Sequence, residues 1–158
     1  MATQLVIYEE ESGRIQEVCS RLAADASARV VFLVDKAGQL LASAGQVQGL
    51  DMTSLGSLTA GNVVTMAGLA RLLGESEFPN QYHEGARESL YMSVVGARVV
   101  LGLIFDNKTS LGLVRLRARK AVDELARVFE QLELKAASAG PGPLADITDE
   151  DIDNLFNE

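Results

Sequence analysis

Few side chains of this sequence are equipped for covalent or acid–base chemistry, and none sits in a catalytic spacing. The single histidine, His83, has the chemistry of a general base. It closely follows Pro79 and Asn80, where a lone histidine is more often a strand or loop residue with one hydrogen bond. The single cysteine, Cys19, shares an apolar stripe with Ile15, Val18 and Leu22, the setting of a small buried hydrophobe rather than a nucleophile. One cysteine forms no intrachain disulfide, and one Cys with one His falls short of a clustered zinc set, so neither a metal nor a cofactor is expected. There is no GxxxxGK phosphate loop, no GxGxxG and no GxSxG nucleophile elbow. Asn107-Lys108-Thr109 matches a glycosylation sequon, a chance match in a chain expected to be cytoplasmic. The expectation is a protein without catalytic residues of its own.

Charge divides the chain into two parts. The formal net charge is −8, and residues 144–158 hold six acids (Asp146, Asp149, Glu150, Asp151, Asp153, Glu158) and no Lys or Arg, which leaves −2 for the body. A nearly balanced body with an acidic tail argues against nucleic acid as a partner, since phosphate contacts need clustered cations. The one basic cluster, Arg115, Arg117, Arg119 and Lys120, fits a solvated helix face. At 158 residues and 47% apolar, the chain can bury one ordinary core. Its longest apolar run, Val99 to Phe105, falls far short of the roughly 18 residues of a membrane span, and Met1 to Glu11 lacks the basic start of a signal peptide.

The elements that would position any site follow from periodicity. Ile15, Val18, Cys19 and Leu22 mark a helix over about Glu9 to Ala24. Val30–Asp35 and Leu40–Ala44, separated by a turn with Gly38, form a hairpin. Leu55, Leu58, Asn62, Met66, Leu69 and Leu73 define the core stripe of a second helix from about Thr53 to Leu73, stopped by Gly74. Gln81–Gly85 has the length of a brief edge strand. Glu88–Val95 and Arg98–Phe105 form a second hairpin through a type II′ turn at Gly96-Ala97, apolar enough that helices should cover both faces. Thr109 or Ser110 then caps a long helix with Leu111, Val114, Ala118, Ala121, Val122, Leu125, Val128, Phe129 and Leu132 on its stripe. This order is a layered α/β arrangement with a mainly antiparallel sheet.

Two segments stand out. The second helix carries Ala60, Gly61, Val64, Thr65, Ala67 and Gly68 opposite its expected stripe. A helix-interior glycine costs about 0.5–1 kcal/mol relative to alanine, so Gly61 and Gly68 call for close approach by something. Tight packing on the chain's own sheet and a flat surface for another protein are both open readings. At the other end, Ala136-Ala-Ser-Ala-Gly-Pro-Gly-Pro143 reads as a flexible linker with a reach of about 28 Å. Beyond it Thr148 caps an acidic first turn, Ile147 and Ile152 form a hydrophobic staple, and Ile152, Leu155 and Phe156 share one face of a helix too short to stand alone. Such a segment is expected to fold on binding, either to its own body or to a partner, with a disordered solubilising tail as the alternative reading.

The hairpin with Val34-Asp-Lys-Ala-Gly-Gln39 in its turn, Ser57-Leu-Thr-Ala-Gly-Asn62 and Phe105-Asp-Asn-Lys-Thr-Ser-Leu-Gly-Leu-Val-Arg115 resemble the roadblock/dynein-light-chain family. The likeness extends to Thr3-Gln-Leu-Val-Ile-Tyr-Glu-Glu10, Glu77-Phe-Pro-Asn-Gln-Tyr-His-Glu-Gly85 and Asp151-Ile-Asp-Asn-Leu-Phe156. The resemblance implies a longin-like α/β/α sandwich with a five-stranded antiparallel sheet, homodimeric, with two copies of the second helix side by side. It divides the chain into a roadblock domain (1–135), a linker (136–143) and an acidic tail (144–158) bearing a short binding helix. Ala60, Val64, Ala67, Gly68 and Arg71 are then assigned to the shared platform, and Ile147, Ile152, Leu155 and Phe156 to a second contact. The implied partner is a small Ras-like GTPase of bacterial polarity and gliding motility, bound by two subunits and stimulated in its GTP hydrolysis, with concentration at a cell pole. An inert adaptor and a small-ligand sensor are the alternative classes. No membrane insertion and no nucleic acid enter this picture.

Overall fold

Five runs of mostly apolar residues pair into one antiparallel sheet. The computed structural model describes residues 5–138. Its elements run α1 (Glu9–Asp25), β1 (Val30–Asp35), β2 (Leu40–Gly45), α2 (Met52–Leu72), β3 (Asn80–Glu84), β4 (Ser89–Val95), β5 (Val99–Phe105) and α3 (Leu111–Ser138). The strand order is β2-β1-β5-β4-β3, with every neighbouring pair antiparallel. β1 and β5 are apolar at nearly every position, so both sheet faces demand cover. Helices α1 and α3 bury one face over Val31, Leu33, Tyr91, Leu101 and Leu103. Helix α2 covers the other, over Val30, Phe32 and Val34. This is the α/β/α sandwich, of the roadblock/longin-like α+β class, that the sequence implied.

Helix ends follow from local chemistry. α1 begins with Glu9, Glu10 and Glu11 at its positive end, and α2 is capped by Asp51, whose carboxylate accepts from Ser54 N at 3.1 Å and from the Ser54 hydroxyl at 2.5 Å. Those two bonds, the hydroxyl's first, hold the Asp51 carboxyl below the usual carboxylate range. α2 ends in a Schellman motif: Glu75 N donates to Ala70 O, Gly74 N donates to Arg71 O, and Gly74 takes φ +83°, where a side chain would be strained. α3 is capped by Ser110, whose Oγ accepts from Leu113 N at 3.2 Å. Thr109, the other candidate, leaves its hydroxyl buried without a partner.

The second hairpin departs from expectation. Val95 pairs with Val99, so Gly96, Ala97 and Arg98 form a three-residue connection instead of a two-residue type II′ turn. On its other side the Arg98 carbonyl accepts Lys36 N at 2.9 Å, which carries the β1–β5 pairing one residue past Asp35–Val99. At the other end, α3 runs to Ser138, three residues into the segment read as linker, because Ala136 and Ala137 are good helix formers. The remaining linker and the acidic tail, with Thr148, Ile147, Ile152, Leu155 and Phe156, lie outside the described residues.

α1 and α3 lie antiparallel with a steady register. Arg21 binds Glu124 at 2.7 Å, Arg14 donates to Gln131 at 2.8 Å, and Lys135 donates to Glu11, so each pair of positions adds to about the same total. Cys19 is fully buried beneath this seam, and burial pushes its thiol up to about 12, which makes it inert. No helix among the described residues is long and apolar enough to cross a membrane.

Candidate functional site

α2 is apolar on both sides, and the structure decides which side meets the sheet. Gly56, Thr59, Ala60, Val63 and Ala70 are buried, with Leu55 and Met66 half-buried beside them. Gly56 permits the closest approach: a Cβ there would stand 2.8 Å from Gly38 O and 3.1 Å from Val34 Cγ1. The small residues bring α2 down onto the β1–β2 turn.

Consequently the larger apolar side chains point away. Leu58 is 73% exposed, Val64 66% and Leu72 83%, with Leu69 and Leu73 also exposed. The expected core stripe is therefore corrected: Leu55 and Met66 face the sheet, whereas Leu58, Leu69 and Leu73 do not. On the outer side Leu58, Gly61, Thr65, Gly68 and Leu72 recur at intervals of three and four, the spacing of a seam for another helix. A Cβ at Gly61 or Gly68 would meet nothing within 4 Å, so neither glycine serves packing within its own subunit. The reading of these two glycines as sheet-facing is thus removed.

The platform residues chosen from sequence divide between the two sides. Val64, Gly68 and Arg71 are exposed; Ala67 is half-buried; Ala60, at 6% exposure, lies against the sheet and presents no surface. Alanine is small enough for either face, and the stripe expected from sequence places Ala60 on the side away from Leu55 and Met66, where the structure does not have it. Leu58 and Leu69, read from sequence as core, and Leu72, which that reading passed over, are exposed, and the signal available was the small-residue series Gly56, Thr59, Ala60, Val63, a close-packing face in its own right.

Sheet edge β3 adjoins this region of sequence. Asn80–Glu84 is short, largely exposed, and paired only on its β4 side. Asn80 Oδ1 accepts from Tyr91 OH at 3.0 Å and from Ser93 Oγ at 2.8 Å, which fastens the strand to the body. Tyr82 stacks on Phe105 with ring centroids 6.1 Å apart. His83 Nε2 lies 3.2 Å from Gln81 Oε1, a neighbour on the same strand face. Among the described residues no group of three or more His, Cys, Asp or Glu side chains is placed to hold a metal ion.

The arginines fall on opposite sides of the sheet. Arg71 is on α2, exposed and in the last turn, whereas Arg14 is on α1 and Arg115, Arg119 and Arg127 are on α3. The basic cluster Arg115, Arg117, Arg119 and Lys120 is exposed, as expected for a solvated face.

The described residues form a three-layer domain that leaves an apolar face of α2 uncovered and the edge strand β3 exposed, and its family is clear: the Roadblock/LC7 domain matches residues 14–105, and the chain belongs to that family. It is similar to the solved structure of Myxococcus xanthus MglB, with 68% identity over 81% of this chain and 96% of that one, at a TM-score of 0.77. The gliding protein MglB from Thermus thermophilus shares 33% identity over 83% of this chain and 99% of that one, at a TM-score of 0.77. A structure described as MglB with tetrameric arrangement shares 32% identity over 84% and 99%, at 0.79. Comparison with curated proteins returned no significant match.

Proposed function

We propose that this protein is a homodimeric regulator of a small Ras-like GTPase of the MglA type, and that it accelerates GTP hydrolysis in bacterial cell polarity and gliding motility. The observation that carries the reading is the exposed α2 seam of Leu58, Gly61, Thr65, Gly68 and Leu72, in a chain 68% identical to an MglB. An exposed apolar face of this length marks a protein interface. Two copies of α2 side by side, joined along the β3 edges, make one continuous platform; a twofold platform meeting a single GTPase gives two regulator subunits to one partner. The protein acts in the cytoplasm and gathers at a cell pole with its partner. Measured GTP turnover by the partner, with and without the regulator, tests the reading: unchanged turnover despite binding makes the protein an adaptor, which localises a GTPase without altering it.

Activation proceeds without an inserted arginine. A finger supplied in trans is worth about 10³–10⁵ in rate. Arg14, Arg115, Arg119 and Arg127 belong to the α1/α3 layer, across the sheet from α2, which leaves Arg71 as the platform's arginine. The hydrolytic groups are the GTPase's own, and the platform orders them, a positioning effect. Each single Arg→Ala change at these five positions should lower turnover at saturating regulator by less than about tenfold. A fall of about a thousandfold at one of them, with affinity intact, would establish a finger.

The acidic tail supplies the second contact, through Ile147, Ile152, Leu155 and Phe156. Three linker residues belong to α3, which shortens the reach of residues 136–143 from about 28 Å to about 22 Å. A tether of that length still gives an effective concentration in the millimolar range. Truncation after Pro143, or Leu155→Ala with Phe156→Ala, should weaken binding of the GTP-loaded partner by about tenfold or more while hydrolysis in the saturated complex persists. Unchanged affinity and unchanged nucleotide release in both variants would reduce the tail to a solubilising appendage.

A further inference from the structure

Leu132 is the last buried residue of α3, and every residue from Glu133 to Ser138 is exposed. Six helical residues therefore project beyond the core, and side-chain packing within α3 does not explain what fixes them. Lys135 does make contacts outside its own helix. Its Nζ donates to Glu11 in the first turn of α1, lies 3.8 Å from Glu10 Oε2 and stands 5.5 Å from the centre of the Tyr8 ring. The dipoles favour the arrangement, since Glu11 occupies the positive end of α1 and Lys135 the negative end of α3.

Glu11 is the unusual member. Its side chain is only 2% exposed, and its second carboxylate oxygen, Oε2, has no hydrogen-bond partner. A carboxylate taken out of water needs its counter-charge, so removing Lys135 leaves a buried anion uncompensated. The hydrogen bond from Lys135 holds the Glu11 carboxyl below its ordinary range, and the same bond raises the Lys135 ammonium. The charged groups around the pair are Glu10 and Arg14 on α1.

We propose that Glu11, Lys135 and Tyr8 form a clasp that holds the exposed end of α3 against the start of α1 and so sets where the C-terminal segment leaves the body. The clasp acts on length. A helical residue advances 1.5 Å and an extended one about 3.4 Å, so release of Glu133–Ser138 adds about 11 Å to the reach of whatever follows. Closed, it anchors Ser138, the last residue of α3, beside the α1–α3 seam; open, it lengthens the tether to whatever follows. This device belongs to the free protein and does not depend on a GTPase partner.

Amide hydrogen exchange on the full chain tests it. In the wild type, amides of residues 133–138 should be protected, and Glu11→Gln and Lys135→Met should each speed their exchange by about tenfold or more while residues 114–132 stay as they were. Lys135→Arg keeps a cation of similar reach and should retain protection. The length effect is read from spin labels at Asp25→Cys and Glu158→Cys, with buried Cys19 unreactive: the separation should broaden outward in Lys135→Met and not in Lys135→Arg. Equal exchange at 133–138 in wild type and both neutralised variants overturns the clasp, as does equal loss of protection throughout 114–132, which would make the pair a contributor to global stability alone. Failure of Lys135→Arg alongside Lys135→Met would overturn the charge pairing.

Discussion

A chain carrying Val64→Arg and Gly68→Arg is expected to fold as the wild type does and to bind no GTPase. Both halves of that result come from α2. Val64 is exposed, and a side chain at Gly68 enters open space, so neither arginine disturbs the packing of α2 on the sheet. Replacing a helix-interior glycine returns about 0.5–1 kcal/mol of helix propensity, and the melting temperature of the free subunit should hold or rise slightly. The interface responds oppositely. Two guanidinium groups placed on or beside the seam of Leu58, Gly61, Thr65, Gly68 and Leu72 must either stay hydrated, which keeps a partner out, or be buried unpaired. Affinity should fall beyond detection, with or without loss of the dimer. Ala60→Arg is the contrasting change, because Ala60 lies under the helix, and there the chain itself should fail to fold. Normal GTPase binding by the Val64/Gly68 double variant, at unchanged stability, would remove α2 from the interface.

The order of elements follows from patterns that act locally: β-branched runs, Gly74 at a helix stop, and the alternation of apolar and polar residues on α1 and α3. Those patterns place β1 and α1 within a residue or two of their observed ends. The rotation of α2 does not follow in the same way. A helix with apolar residues all round offers two candidate inner faces, and burial by size favours leucines such as Leu58 and Leu69. The sheet selects the smaller face instead, because Gly56, Thr59, Ala60 and Val63 allow backbone approach that leucines forbid. In the proposed homodimer the large side chains are kept for the partner, and a single chain's periodicity carries no mark of that. The Gly96–Arg98 connection escaped because a turn dipeptide such as Gly96-Ala97 does not by itself fix which residues of the two strands pair on either side of it.

Gly102 is a glycine whose replacement by even the smallest side chain should cost the fold heavily. It lies on β5 directly opposite Phe32 of β1, and a Cβ there would overlap Phe32 Cζ. The ring covers the glycine and fills the space that a side chain would take, the cross-strand arrangement in which an aromatic compensates for a glycine in a sheet. Phe32 is fully buried in one cluster with Val30, Val34, Val63, Met92 and Val100, so a displaced ring must push against packed neighbours. Gly102→Ala should therefore destabilise by about 3 kcal/mol, the upper part of the usual range for overpacking, and lower the melting temperature by about 10 °C. Alanine's better conformational entropy offsets less than about 1 kcal/mol of this. The same cluster supports the underside of α2, since Val63 rests on it. Strain here reaches the platform, so GTPase affinity should fall in Gly102→Ala even at temperatures where the protein remains folded. A double-mutant cycle with Phe32→Leu separates the explanations: the smaller side chain admits the new methyl group, and the coupling should be favourable by about 1–2 kcal/mol. Additive losses in that cycle would mean that the glycine is needed for its backbone and not for the ring that covers it.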